Sequence, residues 1–193
     1  MRFGRRGRGI ALAGLTVRDN APVIRVRTTA LSLFLLLAST AGCGGVGTFT
    51  ITMSGESMEP TIKAGANLSP RSTDGQYAPH LGDVIVYRTP KNWANATPGE
   101  LHVSRVIGVP GSTVNCCDPQ GRLQVNGKAL DEPYLAAPPA SHLRFEVQVP
   151  PSRLWVMSDN RHAALDSRTH LADPGNGTID ISDVAGVVDP ARR

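Results

Sequence analysis

Three short stretches of this chain carry residue types that do chemistry: M-S-G-E-S-M-E-P-T at 53–61, L-H-V-S-R-V-I-G at 101–108 and S-D-N-R-H-A-A-L-D-S-R at 158–168. In the first, Ser57 lies between Gly55, which frees the backbone, and Pro60, which stiffens the turn. That setting lets a hydroxyl point outward as a nucleophile while its own amide stays free to stabilise an oxyanion. A serine hydroxyl needs a base. In the second stretch, strand alternation puts His102, Ser104 and Val106 on one face, with His102 and Ser104 about 6.6 Å apart along the chain. An imidazole, with an unperturbed pKa of about 6.5, suits base work without burial. The third stretch gathers Asp159, Asn160, Arg161, Asp166 and Arg168, charged groups able to pair and shape a site.

The elements that must position these residues read as short strands. The 193 residues include 20 glycines and 15 prolines, few aromatics and many turn signals, which points to strands rather than long helices. Strands are expected at Val84–Tyr87, His102–Val109, Leu123–Val125, Arg144–Val149, Leu154–Met157 and Val184–Val188. The run L-R-F-E-V-Q-V puts Leu143, Phe145, Val147 and Val149 on one face, the pattern of a half-buried antiparallel strand. Tyr77–Leu81 and Pro90–Gly99 read as loops, and 136–140 as a stiff Pro-containing connector. The expected fold class is a mainly β, antiparallel body.

Charge is unevenly distributed. Residues 1–27 hold seven arginines against the single acid Asp19, so with a formal total of +4 the rest of the chain is mildly acidic. A basic tail on an acidic body, without aromatic and basic residues interleaved, excludes a nucleic-acid-binding domain. Thr28–Gly55 contains no charged residue, and its first part, T-T-A-L-S-L-F-L-L-L-A-S-T-A-G-C-G-G-V-G, is strongly apolar. Arginines before it and none directly after it place the tail in the cytoplasm and the body outside. Two readings are open for this segment: an uncleaved signal-anchor or transmembrane helix, which is preferred, and a cleaved signal whose Thr40-Ala41-Gly42-Cys43 resembles a lipoprotein site. The expected organisation is a cytoplasmic tail over 1–27, a membrane anchor or signal segment over 28–48 and a catalytic domain over 49–193. The localisation expected from this organisation is the cell membrane, single-pass, with the body on the extracytoplasmic side and in contact with membrane lipid. Cys116 and Cys117 are adjacent, and no structural disulfide is expected from them. No cofactor is expected, and no histidine or cysteine spacing indicates a metal.

Taken in order, the 53–61 segment, G-D-V-I-V-Y at 82–87, R-V-I-G-V-P-G at 105–111, V-N-G-K at 125–128 with E-P-Y-L at 132–135, and the 158–168 segment resemble type I signal peptidases, peptidase family S26. The resemblance runs from about Phe49 to Pro190. It implies a membrane-tethered serine endopeptidase that removes signal peptides, with small residues before the cut, from exported pre-proteins. Carried onto this chain, it makes Ser57 the nucleophile, followed by Met58, Pro60 and Thr61, with Gly55 where some members place an additional oxyanion-hole serine. It also implies an ion-pair network of Arg105, Asp166 and Arg168, beside the retained Asp159, Asn160 and Ser167.

The chain departs from the family pattern where the base should be. The family's catalytic lysine directly precedes the arginine of R-V-I-G, and here that position is Ser104; the serine that orients the lysine is replaced by Ala164, and Ser158 replaces a glycine. His102 is a candidate base with Ser104 as a relay, and His162 is a second; Lys63 and Lys128 lie in other segments. The sequence therefore leaves two functions open. One is an active signal peptidase using a non-lysine base. The other is a catalytically impaired protein of the same fold that binds exported chains or assists a secretion or pilus assembly.

Overall fold

The computed structural model describes residues 47–73 and 75–191, which fall within one compact unit, 43–193. The tail expected over 1–27 and nearly all of the 28–48 segment lie outside the described residues, among which no helix is long and apolar enough to cross a membrane.

Among the described residues twelve strands follow in chain order: β1 (Ile51–Thr52), β2 (Asn67–Leu68), β3 (Arg71–Ser72), β4 (Val84–Arg88), β5 (Leu101–Gly108), β6 (Thr113–Cys116), β7 (Leu123–Val125), β8 (Lys128–Ala129), β9 (Phe145–Gln148), β10 (Arg153–Met157), β11 (Ile179–Asp180) and β12 (Val184–Val188). They form a six-stranded sheet in the order β11-β10-β5-β4-β12-β3, a four-stranded sheet β8-β7-β6-β9 and the pair β1-β2. Each pairing is antiparallel. The mainly β expectation is therefore what the chain forms, and each of the strands read from the sequence is present within a residue or two of its expected ends.

β5 organises the body. Its register with β4 sets Val84 opposite Arg105, Ile85 opposite Ser104, Val86 opposite Val103 and Tyr87 opposite His102. Paired residues share a face, so Val84, Val86, Val103 and Arg105 look one way while Ile85, Tyr87, His102 and Ser104 look the other. Two separate apolar clusters confirm the division. Val84, Val86 and Val103 pack with Met53, Met58, Ile62 and Val188; Ile85, Tyr87 and Val106 pack with Trp93, Leu154, Val156 and Ile179. A third cluster joins the two larger sheets through Trp155, Met157, Ile107, Val114, Leu123 and Val147. Gly108 ends β5 where core side chains crowd: a Cβ there would meet Val114 Cγ2 at 2.7 Å and Val149 Cγ2 at 2.8 Å. The glycine of R-V-I-G is thus a packing requirement of the fold.

Cys116 and Cys117 depart from the sequence expectation. They form a disulfide, their Cα atoms brought to 3.0 Å by a cis peptide, so adjacency did not keep the sulfurs apart. The bridge ends β6 against the 140–144 connector, with the two Sγ atoms 3.7 and 3.8 Å from the Ser141 carbonyl oxygen.

Candidate active site

The segment carrying Ser57 has no regular secondary structure; it is a chain of turns held from below and from one side. From below, the Met58 side chain is fully buried in the cluster with Val84, Val86 and Val103. The turn closes through Glu59 N–H to Glu56 O at 3.0 Å and Ile62 N–H to Met58 O at 2.8 Å. From the side, the Asn160 amide donates to Ser57 O at 2.9 Å, and Asn160 Nδ2 donates to Glu56 O at 3.3 Å. The 158–168 segment, separated from Ser57 by about a hundred residues of chain, therefore clamps it by the backbone. Ser57 itself is half-buried, and neither its hydroxyl nor its amide is bonded to another described residue. Gly55 has open space where a side chain would start, with no atom within 4 Å of a Cβ placed there. Pro60 is exposed and follows a cis peptide.

Arg105 is the anchor of this side of the sheet. Its Nε and Nη2 donate to the two carboxylate oxygens of Asp159 at 2.8 and 2.6 Å, its Nη1 donates to Gly82 O at 2.8 Å, and its guanidinium lies 3.8 Å over the Tyr134 ring. Thr61, from the Ser57 turn, donates to the same Asp159 carboxylate. A two-pronged arginine–carboxylate pair that is this buried holds the charges in one geometry. The expected network of Arg105, Asp166 and Arg168 is corrected here: it is two separate pairs. Arg105 takes Asp159, whereas Arg168 Nε and Nη2 take Asp166 at 2.8 and 2.9 Å. The reason is directional. Asp159 turns to the Arg105 side, while Asp166, fully buried, accepts from the Ser158 amide at 3.0 Å and caps the 3₁₀ turn Ser167–His170.

On the other face of β5 stand the residues expected to handle the proton. Ser104 is buried, and its hydroxyl meets the Ser158 hydroxyl at 3.3 Å. Ser158, noted in the sequence only as standing for a glycine, is thus the partner that sequence reasoning missed. The Tyr87 hydroxyl is buried beside this pair, close enough to feel the Ser104 hydroxyl though outside good hydrogen-bond geometry with any described residue. Burial pushes the phenol well above its usual range, with the Asp166 charge adding to the rise and the Ser104 hydroxyl opposing it. His102 shares the face with Ser104 as expected, and its ring lies 5.9 Å from that of Tyr87. Burial lowers its pKa below 6.5, and the charge of Glu100 opposes the shift while His170 adds to it. Among the described residues no hydrogen bond joins the Ser57 hydroxyl to His102, Ser104 or His162. The exposed His162 ring instead faces His142, at 5.3 Å. Lys63 and Lys128 are exposed. The 53–61 turn, Arg105, Asp159 and Asn160 are joined by direct hydrogen bonds, whereas none of the candidate bases is bonded to Ser57 among the described residues.

The family profile described as "Signal peptidase, peptidase S26" matches residues 26–191. Signal peptidase I of Mycobacterium tuberculosis (strain CDC 1551 / Oshkosh) is 36% identical over 177 residues, covering 68% of this chain and 60% of that protein. The probable signal peptidase I of Mycobacterium leprae is 34% identical over 184 residues, covering 68% and 63%. Signal peptidase I U of Bacillus subtilis is 33% identical over 134 residues, covering 65% and 67%. A solved signal peptidase I from Enterococcus faecalis V583 aligns over 58% of this chain and 98% of its own, with 26% identity and a TM-score of 0.46. The chain spans about 60% of the length of the mycobacterial relatives it matches. On its profile match and its identity to these relatives, the chain belongs to the signal peptidase family, peptidase S26.

Proposed function

We propose that this chain is a membrane-tethered serine endopeptidase that cleaves signal peptides from exported pre-proteins, with Ser57 as nucleophile and a base other than lysine. One observation carries this reading: the carbonyl and the neighbouring side chain of Ser57 are fixed, by Asn160 and by burial of Met58, while its hydroxyl and amide are uncommitted. Those are the two groups the reaction needs. The hydroxyl oxygen attacks the scissile carbonyl carbon and loses its proton to the base, and the Ser57 amide donates to the oxyanion that forms. Collapse breaks the C–N bond, the departing amine takes the proton, and water then hydrolyses the ester to free Ser57. The base is His102, acting through Ser104 on the same face; burial keeps its ring neutral at pH 7, the state a base requires. The apolar and uncharged 28–48 stretch supplies the tether, and an extended substrate adds beside the strands near Ser57.

A second reading is favoured by a different observation. The Ser104 hydroxyl is bonded to Ser158, and the His102 ring lies against Tyr87 rather than Ser57. A protein so arranged would keep the fold and bind exported chains, or assist a secretion or pilus assembly, without cutting. Cleavage of a signal-peptide substrate by wild type, His102→Ala and Ser104→Lys separates the two. Turnover in wild type that is lost in His102→Ala, with a pH–rate break below 6.5, supports the peptidase with a histidine base. Absence of turnover in wild type with gain in Ser104→Lys would sink it in favour of the second reading.

A further inference from the structure

His142 and His162 lie twenty positions apart and form no metal-ligand motif in the sequence, yet the fold sets their rings 5.3 Å apart at 49° on the surface. Both side chains are exposed, so neither is a core histidine satisfied by burial. Their two loops are held together from beneath. Between them, Arg161 is buried, donates from Nη1 to Ala140 O at 3.1 Å and from Nε to Ser158 O at 2.7 Å, and pairs with Glu132. This bond joins the residue before His162 to a residue two before His142, so the two imidazoles approach each other on backbone fixed independently of them. The Ser141 hydroxyl accepts from Leu143 N–H at 3.0 Å and shapes the turn that carries His142.

We propose that His142 and His162 form a two-histidine clamp for a divalent transition cation such as Zn²⁺, Ni²⁺ or Cu²⁺. The spacing fits. A histidine nitrogen lies about 2.0–2.1 Å from such a metal, which puts each ring centroid about 3.2 Å from it and two centroids about 5.2 Å apart at a tetrahedral angle. Neutral imidazoles suit these borderline cations, whereas Mg²⁺ and Ca²⁺ prefer oxygen. Water completes the coordination, so the cation is exchangeable. Two protein ligands leave the other positions to water, unlike a closed four-ligand structural site. Its position gives it an effect. His162 is two residues from Asn160, whose amide holds the Ser57 carbonyl, and His142 adjoins Ser141, whose carbonyl faces the Cys116–Cys117 sulfurs. A bound cation ties the segment that faces the disulfide to the turn that clamps Ser57.

The test is Zn²⁺ titration of the tag-free full chain in detergent near pH 7.5, by calorimetry, with Cu²⁺ electron paramagnetic resonance as a second readout. One equivalent of saturable Zn²⁺ is expected, weakened at least tenfold in His142→Ala and in His162→Ala and unchanged in His80→Ala. The Cu²⁺ spectrum should show two coordinating imidazole nitrogens that fall below two in either variant. No saturable binding in wild type, or binding retained when both histidines are replaced, overturns the proposal. The outcome is independent of peptidase activity.

Discussion

The two faces of β5 carry polar groups of opposite character. On the Arg105 face all the chemistry is settled: the guanidinium spends its donors on Asp159, Thr61 and Gly82 O and its plane on Tyr134. On the Ser104 face the Ser104 and Ser158 hydroxyls meet at 3.3 Å beside the buried Tyr87 phenol. Buried ionic networks are costly to break because a deserted charge stays in low dielectric, so the first face is held by the demands of folding alone. The second face is free to change with the chemistry. Retention of Arg105 and Asp159 therefore speaks for the scaffold, and the proposed base is to be judged on the Ser104 side.

The largest expected effect breaks the ordered face. Asp159→Ala leaves Arg105 buried without its carboxylate and should cost about 3–5 kcal/mol, read as a lowered midpoint in denaturant unfolding. If it costs no more than an exposed substitution, the Arg105 face does not carry the fold. Next comes Met58→Ala, which empties a fully buried site beneath the Ser57 turn and should cost about 2–5 kcal/mol. That variant also tests whether the turn is held from below, since cleavage should fall by more than the loss of folded protein accounts for.

The Ser104 face yields smaller effects. The folded state lowers the His102 pKa, so it binds fewer protons there than the unfolded chain does. The sign follows from linkage: stability contributed at neutral pH falls as pH drops through 6.5 toward the folded-state value. Unfolding midpoints of wild type and His102→Gln measured from pH 8 to 5 should diverge in that direction, and parallel curves would remove His102 from the set of groups titrating there. Smallest in stability is Gly55→Ser, which meets open space and should stay within about 0.5 kcal/mol of wild type. If the backbone alone serves the oxyanion, this added hydroxyl should raise turnover, and an unchanged rate would show that position 55 does not face the developing charge.

Much of the strand plan was legible because alternation of apolar and polar residues is a local signal. The buried alternation of Val147 and Val149 and the β5 face of His102, Ser104 and Val106 follow from spacing alone, whereas Leu143, expected on the same face as Val147, lies before β9 and is exposed. Very short strands such as Asn67–Leu68 and Lys128–Ala129 were not legible, since two residues hold no period and form only because a partner strand lies alongside. The site divides in the same way. Ser57 stands out by its motif, and the charged residues by their type. Their pairing was not legible: Asp159 and Asp166 are equally acidic in sequence, and only the direction in which the chain leaves β10 decides which one meets Arg105. The Ser104–Ser158 contact and the adjacent-cysteine bridge likewise depend on approach in space, which spacing along the chain does not encode.

The central claim is that the uncommitted hydroxyl of Ser57 does the cutting. Its most direct test is cleavage of a signal-peptide substrate with small residues before the cut, by the full-length chain in detergent, comparing wild type with Ser57→Ala at matched folded concentration. Turnover by wild type that falls at least about a thousandfold in Ser57→Ala is the expected result. Equal turnover by the two proteins, or none by wild type, would contradict it.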